Sequence, residues 1–137
     1  EDQKDGFDGV IMRINKSTKK ITYAAANNHP IVIANHTLNH LAYDKMPVGK
    51  GEKILPFSEY EINVDTEAII YIYTDGYADQ FGGEKGKKFK YKQLNEFLLH
   101  NSTKDMSMQL ESLSLQFDKW KGNLEQVDDV LLIGIRV

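Results

Sequence analysis

The segment Ala68-Ile69-Ile70-Tyr71-Ile72-Tyr73-Thr74 runs without a charge and stops at Asp75-Gly76. Its length and its β-branched and aromatic content mark a buried strand of the core rather than a helix. The carboxylate of Asp75 stands at the mouth of that strand, and glycine is the residue that lets a backbone turn freely straight after it. A second apolar strand, Leu131-Leu132-Ile133-Gly134-Ile135, follows Val127-Asp128-Asp129-Val130. Carboxylates at the mouths of neighbouring core strands are what a hard divalent cation needs. Both motifs also have a plain structural reading. Asp-Gly is a favoured turn dipeptide, and paired acids before a strand read as a solvated loop. Adjacent side chains in extended geometry point to opposite faces, so at most one of Asp128 and Asp129 faces a shared site.

The rest of the chain supplies layers around these strands. Val10, Met12 and Ile14 alternate with polar residues, and Ile21, Tyr23 and Ala25 resume the alternation after a polar turn, which predicts an antiparallel hairpin over residues 8–26. Asn27-Asn28-His29-Pro30 breaks the pattern, because proline lacks a ladder donor and pushes its predecessor towards extended geometry. Ile31 to Ala34 and Thr37 to Tyr43 flank Asn35-His36, a tight-turn pair. Lys45 to Gly51 reads as loop, and Tyr60 to Val64 as another alternating strand. Residues 76–88, rich in Gly and Lys, read as an exposed loop after a short helical turn.

From Tyr91 the period becomes helical, first through Leu94, Phe97 and Leu98 and then through a stripe of Met106, Leu110, Leu113, Phe117 and Trp120. Ser102 or Asp105 is positioned to cap the second helix and Gly122 to end it. A last strand is expected over 129–136. Antiparallel strands, two helices and a closing strand make an α+β domain with helices lying on a sheet.

A chain of 137 residues is long enough for one domain with one core, and the reading is a single domain over 1–137. Its net charge of −3 offers no general attraction to nucleic acid or to an anionic membrane. It contains no cysteine, which excludes disulfides, thiolate metal sites and a cysteine nucleophile. No apolar stretch approaches the ~20 residues that cross a bilayer. His29, His36, His40 and His100 have no metal-ligand spacing and read as surface or turn residues. No nucleophile elbow and no P-loop is present. The basic run Lys85, Lys87, Lys88, Lys90, Lys92 reads as a solvated loop and first helical turn, with docking of an acidic or phosphorylated partner as the alternative. Phe89 and Tyr91 within it pin that loop to the core.

Taken in order, Ala25-Ala26-Asn27-Asn28-His29-Pro30, Lys45-Met46-Pro47-Val48-Gly49, Tyr73-Thr74-Asp75-Gly76-Tyr77-Ala78-Asp79-Gln80-Phe81-Gly82-Gly83 and Asp128-Asp129-Val130-Leu131-Leu132 resemble one family. It is the stage II sporulation protein E branch of the PPM-type, metal-dependent serine/threonine phosphatases. Residues 86–94 and 120–127 resemble a bacterial subgroup of that branch, so the resemblance covers nearly the whole chain.

The resemblance implies stacked antiparallel β-sheets flanked by helices, and hydrolysis of phosphoserine or phosphothreonine on a protein with paired Mn²⁺ or Mg²⁺. It implies that Asp75 and Asp128 ligate one ion, that Gly76 turns the chain away, and that Asn27, Asn28 and Asp129 are neighbours of the site. The family's bridging Asp with a Gly-His-Gly segment has no match in residues 1–26. Asp8, close to the first hairpin and followed by no histidine, is assigned no metal role.

The expectation is therefore the C-terminal part of a phosphatase domain, with the N-terminal portion missing, weak or single-metal binding, and little activity alone. Open sheet edges would favour a homodimer. By resemblance, the partner is a phosphorylated regulatory protein of the anti-sigma-factor-antagonist type. The setting would be the cytoplasm, with the parent chain anchored to a membrane through an upstream sensor where one exists, and no membrane contact by this segment. Two alternatives stand beside this one: a non-catalytic partner-binding module of the same fold, and an unrelated α+β domain whose Asp-Gly and Asp-Asp are turns.

Overall fold

The structure is a computed structural model that describes residues 5–49 and 55–137. Glu1 to Lys4, and Lys50 and Gly51 of the expected 45–51 loop, lie outside the described residues. The chain opens with β1 (Gly6–Phe7) and β2 (Gly9–Asn15), then β3 (Lys20–Ala26), β4 (Ile31–Ala34), β5 (Thr37–His40) and β6 (Val48–Gly49). After these come β7 (Tyr60–Asn63), β8 (Ala68–Tyr73), β9 (Phe81–Gly82) and β10 (Lys87–Lys88). Helices α1 (Tyr91–Asn101) and α2 (Met106–Lys121) precede β11 (Leu132–Arg136).

Two antiparallel sheets carry the fold, one ordered β11-β8-β4-β5 and the other β2-β3-β7. The apolar run at 68–73 is central to the first sheet, with β11 on one side and β4 on the other. Because side chains alternate along a strand, each face of β8 serves a different core. Ile69, Tyr71 and Tyr73 join Ile31 and Ile33 against Leu94, Leu98 and Leu113 of the helices. Ala68 and Ile70 face the other way, onto Ile21, Tyr23 and Ala25 of the second sheet. A strand covered on both faces must be apolar at every position, which is what the sequence supplies. The order of layers is helices, four-stranded sheet, three-stranded sheet.

The predicted hairpin over 8–26 forms, with Gly9 paired to Ala26 and Asn15 to Lys20. Asn35 and His36 make the tight turn between β4 and β5, both at positive φ (48° and 58°), the geometry of a type I′ hairpin turn. The strand after it is shorter than expected and ends at His40.

Three expectations need correction. Within the 45–51 loop, Val48 and Gly49 pair with β1. Residues 76–88 are not a simple exposed loop: Tyr77, Ala78 and Gln80 are buried, and β9 and β10 close a short hairpin. Gln80 explains the burial, because its side-chain amide donates to the Glu125 carbonyl and its backbone carbonyl accepts from Trp120 Nε1. In α2, Leu110 is 68% exposed and Gln109 only 2%. The buried stripe is therefore Gln109 and Leu113, flanked by Met106, Phe117 and Trp120. Gln109 enters the core because Tyr71 presents a buried hydroxyl that donates to Gln109 Oε1, and a buried hydroxyl needs a partner.

Asp105 occupies the N-cap of α2 without a side-chain cap bond, and Gly122 ends the helix at φ 54°. Ser102 instead closes α1, its hydroxyl donating to the Leu99 carbonyl. The last strand is shorter than 129–136, but its approach is tied to β8 through hydrogen bonds from Thr74 N to Leu131 O and from Leu131 N to Thr74 Oγ1.

Candidate metal centre

Four segments meet at the C-terminal end of β8. They are the β1–β2 junction at Asp8, the β3–β4 loop at Asn27 to His29, the end of β8 at Tyr73 to Asp75, and Tyr91 at the start of α1. Together they line a cleft of about 190 Å³. A larger concavity, about 850 Å³, lies on the outer face of the three-stranded sheet and contains none of these residues. The sequence-predicted residues Asp75, Asn27 and Asn28 lie in the smaller cleft.

Asp75 is exposed at the rigid end of a strand buried on both faces. Asn27 is held at φ 48°, a left-handed conformation that asparagine tolerates better than most residues. Its amide N–H donates to the Asp44 carbonyl, and its side chain donates from Nδ2 to Asp8 Oδ1 at 3.1 Å. Asn28 donates from Nδ2 to the Tyr73 carbonyl at 3.2 Å, while its Oδ1 is buried with no hydrogen-bond partner.

The ring of His29 stacks on Tyr43 at 4.1 Å and lies parallel to Tyr91 at 6.0 Å. Burial, with the charges of His40 and Lys45, lowers its pKa from the ordinary value. Tyr91 is pushed up to about 12, first by burial and then by the negative charges of Asp75 and Asp79.

The structure brings together Asp75, Asn27 and Asn28. Asp128 and Asp129 do not line the cleft; the Asp129 backbone lies against Gly76, just past the end of β8. Continuing the Leu132–Tyr73 register sets Leu131 opposite Thr74 and Asp129 opposite Gly76. A Cβ on Gly76 would stand 2.1 Å from the Asp129 carbonyl oxygen, so only glycine permits this approach. The Asp128 carboxylate accepts from the Asp129 amide at 2.7 Å.

Asp8 is the residue that sequence reasoning set aside and that the fold brings in. The signal was present in the hairpin. Pairing Gly9 with Ala26 places Asp8 directly opposite Asn27.

The donor set suits a hard cation. The cleft offers carboxylate and amide oxygens, and among the described residues neither Lys nor Arg lines it. Such oxygen-rich, anionic surroundings attract a divalent cation and repel a bare phosphate. The unpartnered Asn28 Oδ1 is an oxygen that the chain leaves unsatisfied at this place. Among the described residues no three His, Cys, Asp or Glu side chains gather as a complete ligand set.

The basic run is solvated on its loop. Lys85, Lys87, Lys88 and Lys90 are exposed, and Lys88 makes a surface ion pair with Asp79 at 3.2 Å, a type worth little to stability. Phe89 is buried as expected and Tyr91 forms a wall of the cleft.

The family model for stage II sporulation protein E (SpoIIE) matches residues 2–137. The chain belongs to the SpoIIE family. Comparison with curated proteins finds no match. Among solved structures, the SiaA-PP2C domain of Pseudomonas aeruginosa superposes with a TM-score of 0.86 at 20% identity. The superposition covers 95% of this SpoIIE-family chain and 51% of the SiaA chain, so the chain spans about half the length of that neighbour. At that identity the likeness is one of fold, and it identifies the stacked sheets and paired helices as the PP2C α+β architecture. Among the described residues no helix is long and apolar enough to cross a membrane.

Proposed function

We propose that this chain carries metal-ligating machinery of a Mn²⁺- or Mg²⁺-dependent protein serine/threonine phosphatase, acting on a phosphorylated regulatory protein in signalling. One observation supports the reading above others. In a SpoIIE-family chain, Asp75 stands at the end of a strand buried on both faces and lines an oxygen-bearing cleft to which no Lys or Arg among the described residues contributes.

In the reaction, water oxygen attacks phosphorus, the phosphorus–oxygen bond to serine or threonine breaks, and the released hydroxyl oxygen takes up a proton. Bound divalent ions supply an activated water and neutralise phosphate charge. The chain's own residues do the positioning. Asp75 would hold an ion from the strand end, and Asp128 would hold it from the adjoining segment. Thr74, locked to Leu131 in both directions, fixes the height of one strand end against the other. Gly76 lets the segment carrying Asp128 and Asp129 lie against that end. The stacked rings of Tyr43, His29 and Tyr91 stiffen the opposite wall.

Calorimetric titration of the chain with Mn²⁺ tests the site. Binding is expected, and Asp75→Asn should abolish most of the heat; wild-type and variant titrations that coincide would sink the reading. With few carboxylates in reach, the 137-residue chain is expected to bind weakly and turn over a phosphopeptide slowly.

The absence of a complete ligand set among the described residues favours a second reading, a non-catalytic module of the same fold that binds a partner. Phosphopeptide hydrolysis in Mn²⁺, measured with the full parent protein, separates the two. The partner proposed is of the anti-sigma-factor-antagonist type, and the compartment proposed is the cytoplasm.

A further inference from the structure

Asp8 is the cleft residue that neither strand-end motif explains. It sits in the single-residue gap between β1 and β2, is exposed to solvent, and shares the cleft with Asp75. Its orientation is set by Asn27, whose Nδ2 donates to Oδ1. Asn27 is itself fixed in a left-handed conformation by its amide bond to the Asp44 carbonyl. Among the described residues, two carboxylates and no Lys or Arg line this small cleft, a pairing of anionic oxygens that suits a divalent cation. On the same loop, Asn28 Oδ1 is buried without a hydrogen-bond partner among the described residues, a further free oxygen on a residue that lines the cleft.

We propose that Asp8 is a ligand of the divalent cation held at Asp75, with Asn27 as the residue that positions it. The inference rests on the reading of Asp75 as a cation ligand. In this arrangement the ion is gripped from two separate parts of the fold, the start of β2 and the end of β8. Asp8 contributes a carboxylate that neither Asp75 nor Asp128 supplies. Holding one oxygen of Asp8 by a hydrogen bond leaves the other to face the ion, the usual way an outer partner orients a metal-binding carboxylate.

Terbium luminescence tests this without reference to turnover. Tb³⁺ replaces Mn²⁺ or Ca²⁺ at oxygen sites and is sensitised by nearby tyrosines, here Tyr73 and Tyr91, which line the cleft. Wild type, Asp8→Asn, Asp75→Asn, Asn27→Ala and the remote Glu111→Gln are titrated with Tb³⁺, and bound ion is competed off with Mn²⁺. Loss of an outer partner weakens metal affinity by about 10–100-fold, so Asn27→Ala should fall in that range and Asp8→Asn at or beyond its upper end. Glu111→Gln should match wild type. Asp8→Asn keeps the side-chain shape, and circular dichroism confirms that each variant is folded.

If Asp8→Asn binds within twofold of wild type while Asp75→Asn loses the signal, the role of Asp8 is overturned and the Asp75 site stands. If Asp75→Asn also binds like wild type, or wild type gives no tyrosine-sensitised signal, the cation site itself fails and the role of Asp8 fails with it.

Discussion

Gly76 shows how one side chain, or the lack of one, joins two distant motifs. The 2.1 Å approach that a Cβ would make to the Asp129 carbonyl is to backbone, which cannot swing aside. Gly76→Ala should therefore separate β8 from the segment leading to β11, at about 1–3 kcal/mol, the usual range for overpacking. Urea denaturation measures the loss, and the same variant should weaken Mn²⁺ binding although it removes no ligand.

Buried tyrosines give a second residue-scale prediction. Burial pushes Tyr71 and Tyr73 up to about 12, and raises Tyr77 as well. Their hydroxyls are held by Gln109, Asn95 and the Leu113 carbonyl. Between about pH 10 and 12 the unfolded chain loses these phenolic protons while the folded chain keeps them, so the unfolded state binds fewer protons. Stability present below pH 10 should thus fall steeply as pH rises towards 12. Thermal melts across that range, with tyrosinate absorbance recorded in parallel, should show unfolding and ionisation together. Tyrosines that titrate near pH 10 in the folded protein would contradict the burial argument.

At the scale of elements, α2 separates what periodicity tells from what packing decides. Helical spacing correctly gave a helix in this region, and Leu113, Phe117 and Trp120 do face the core. Leu110 does not, because the face opposite Tyr71 needs an acceptor, and Gln109 supplies it. Leu113→Ala should cost about 2–5 kcal/mol, as large-to-small core changes do, whereas Leu110→Ala should stay within about 0.5 kcal/mol, as exposed substitutions do. Denaturant midpoints of the two variants check this directly, and equal losses would restore the simpler stripe.

The 76–88 segment teaches the same lesson. Its glycines and lysines describe its surface, but Tyr77, Gln80 and Phe89 anchor it beneath α2. Tyr77 meets Phe89 and Phe117 edge-on, and Phe89 meets Trp120 likewise. Phe117 and Trp120 come from α2, another part of the chain.

At the scale of the whole molecule, the two sheets end in open edges among the described residues. β2 pairs only with β3, and β11 only with β8. Ile11 on β2 is 77% exposed, and Leu131 and Ile133 at β11 are 56% and 43% exposed. Unpaired edges with apolar neighbours recruit other strands, so the chain is expected to self-associate through an edge. Light scattering over a concentration series should show a dimer that Ile11→Lys weakens. A monomer at every concentration would argue against edge pairing.

The sequence by itself determined the longer strands, the two helices, the hairpin over 8–26 and the strand-end placement of Asp75, because these follow from periodicity and local turn chemistry. It also determined that the chain lacks thiol chemistry and a net positive charge. Only the tertiary structure decided that Asp8, Asn27, Asn28 and Asp75 share one cleft, that the Asp129 backbone lies against Gly76, and that Gln109 belongs to the core. Those outcomes depend on which strands lie side by side across long stretches of chain, and side-chain patterning along one segment carries no information about its neighbours in space.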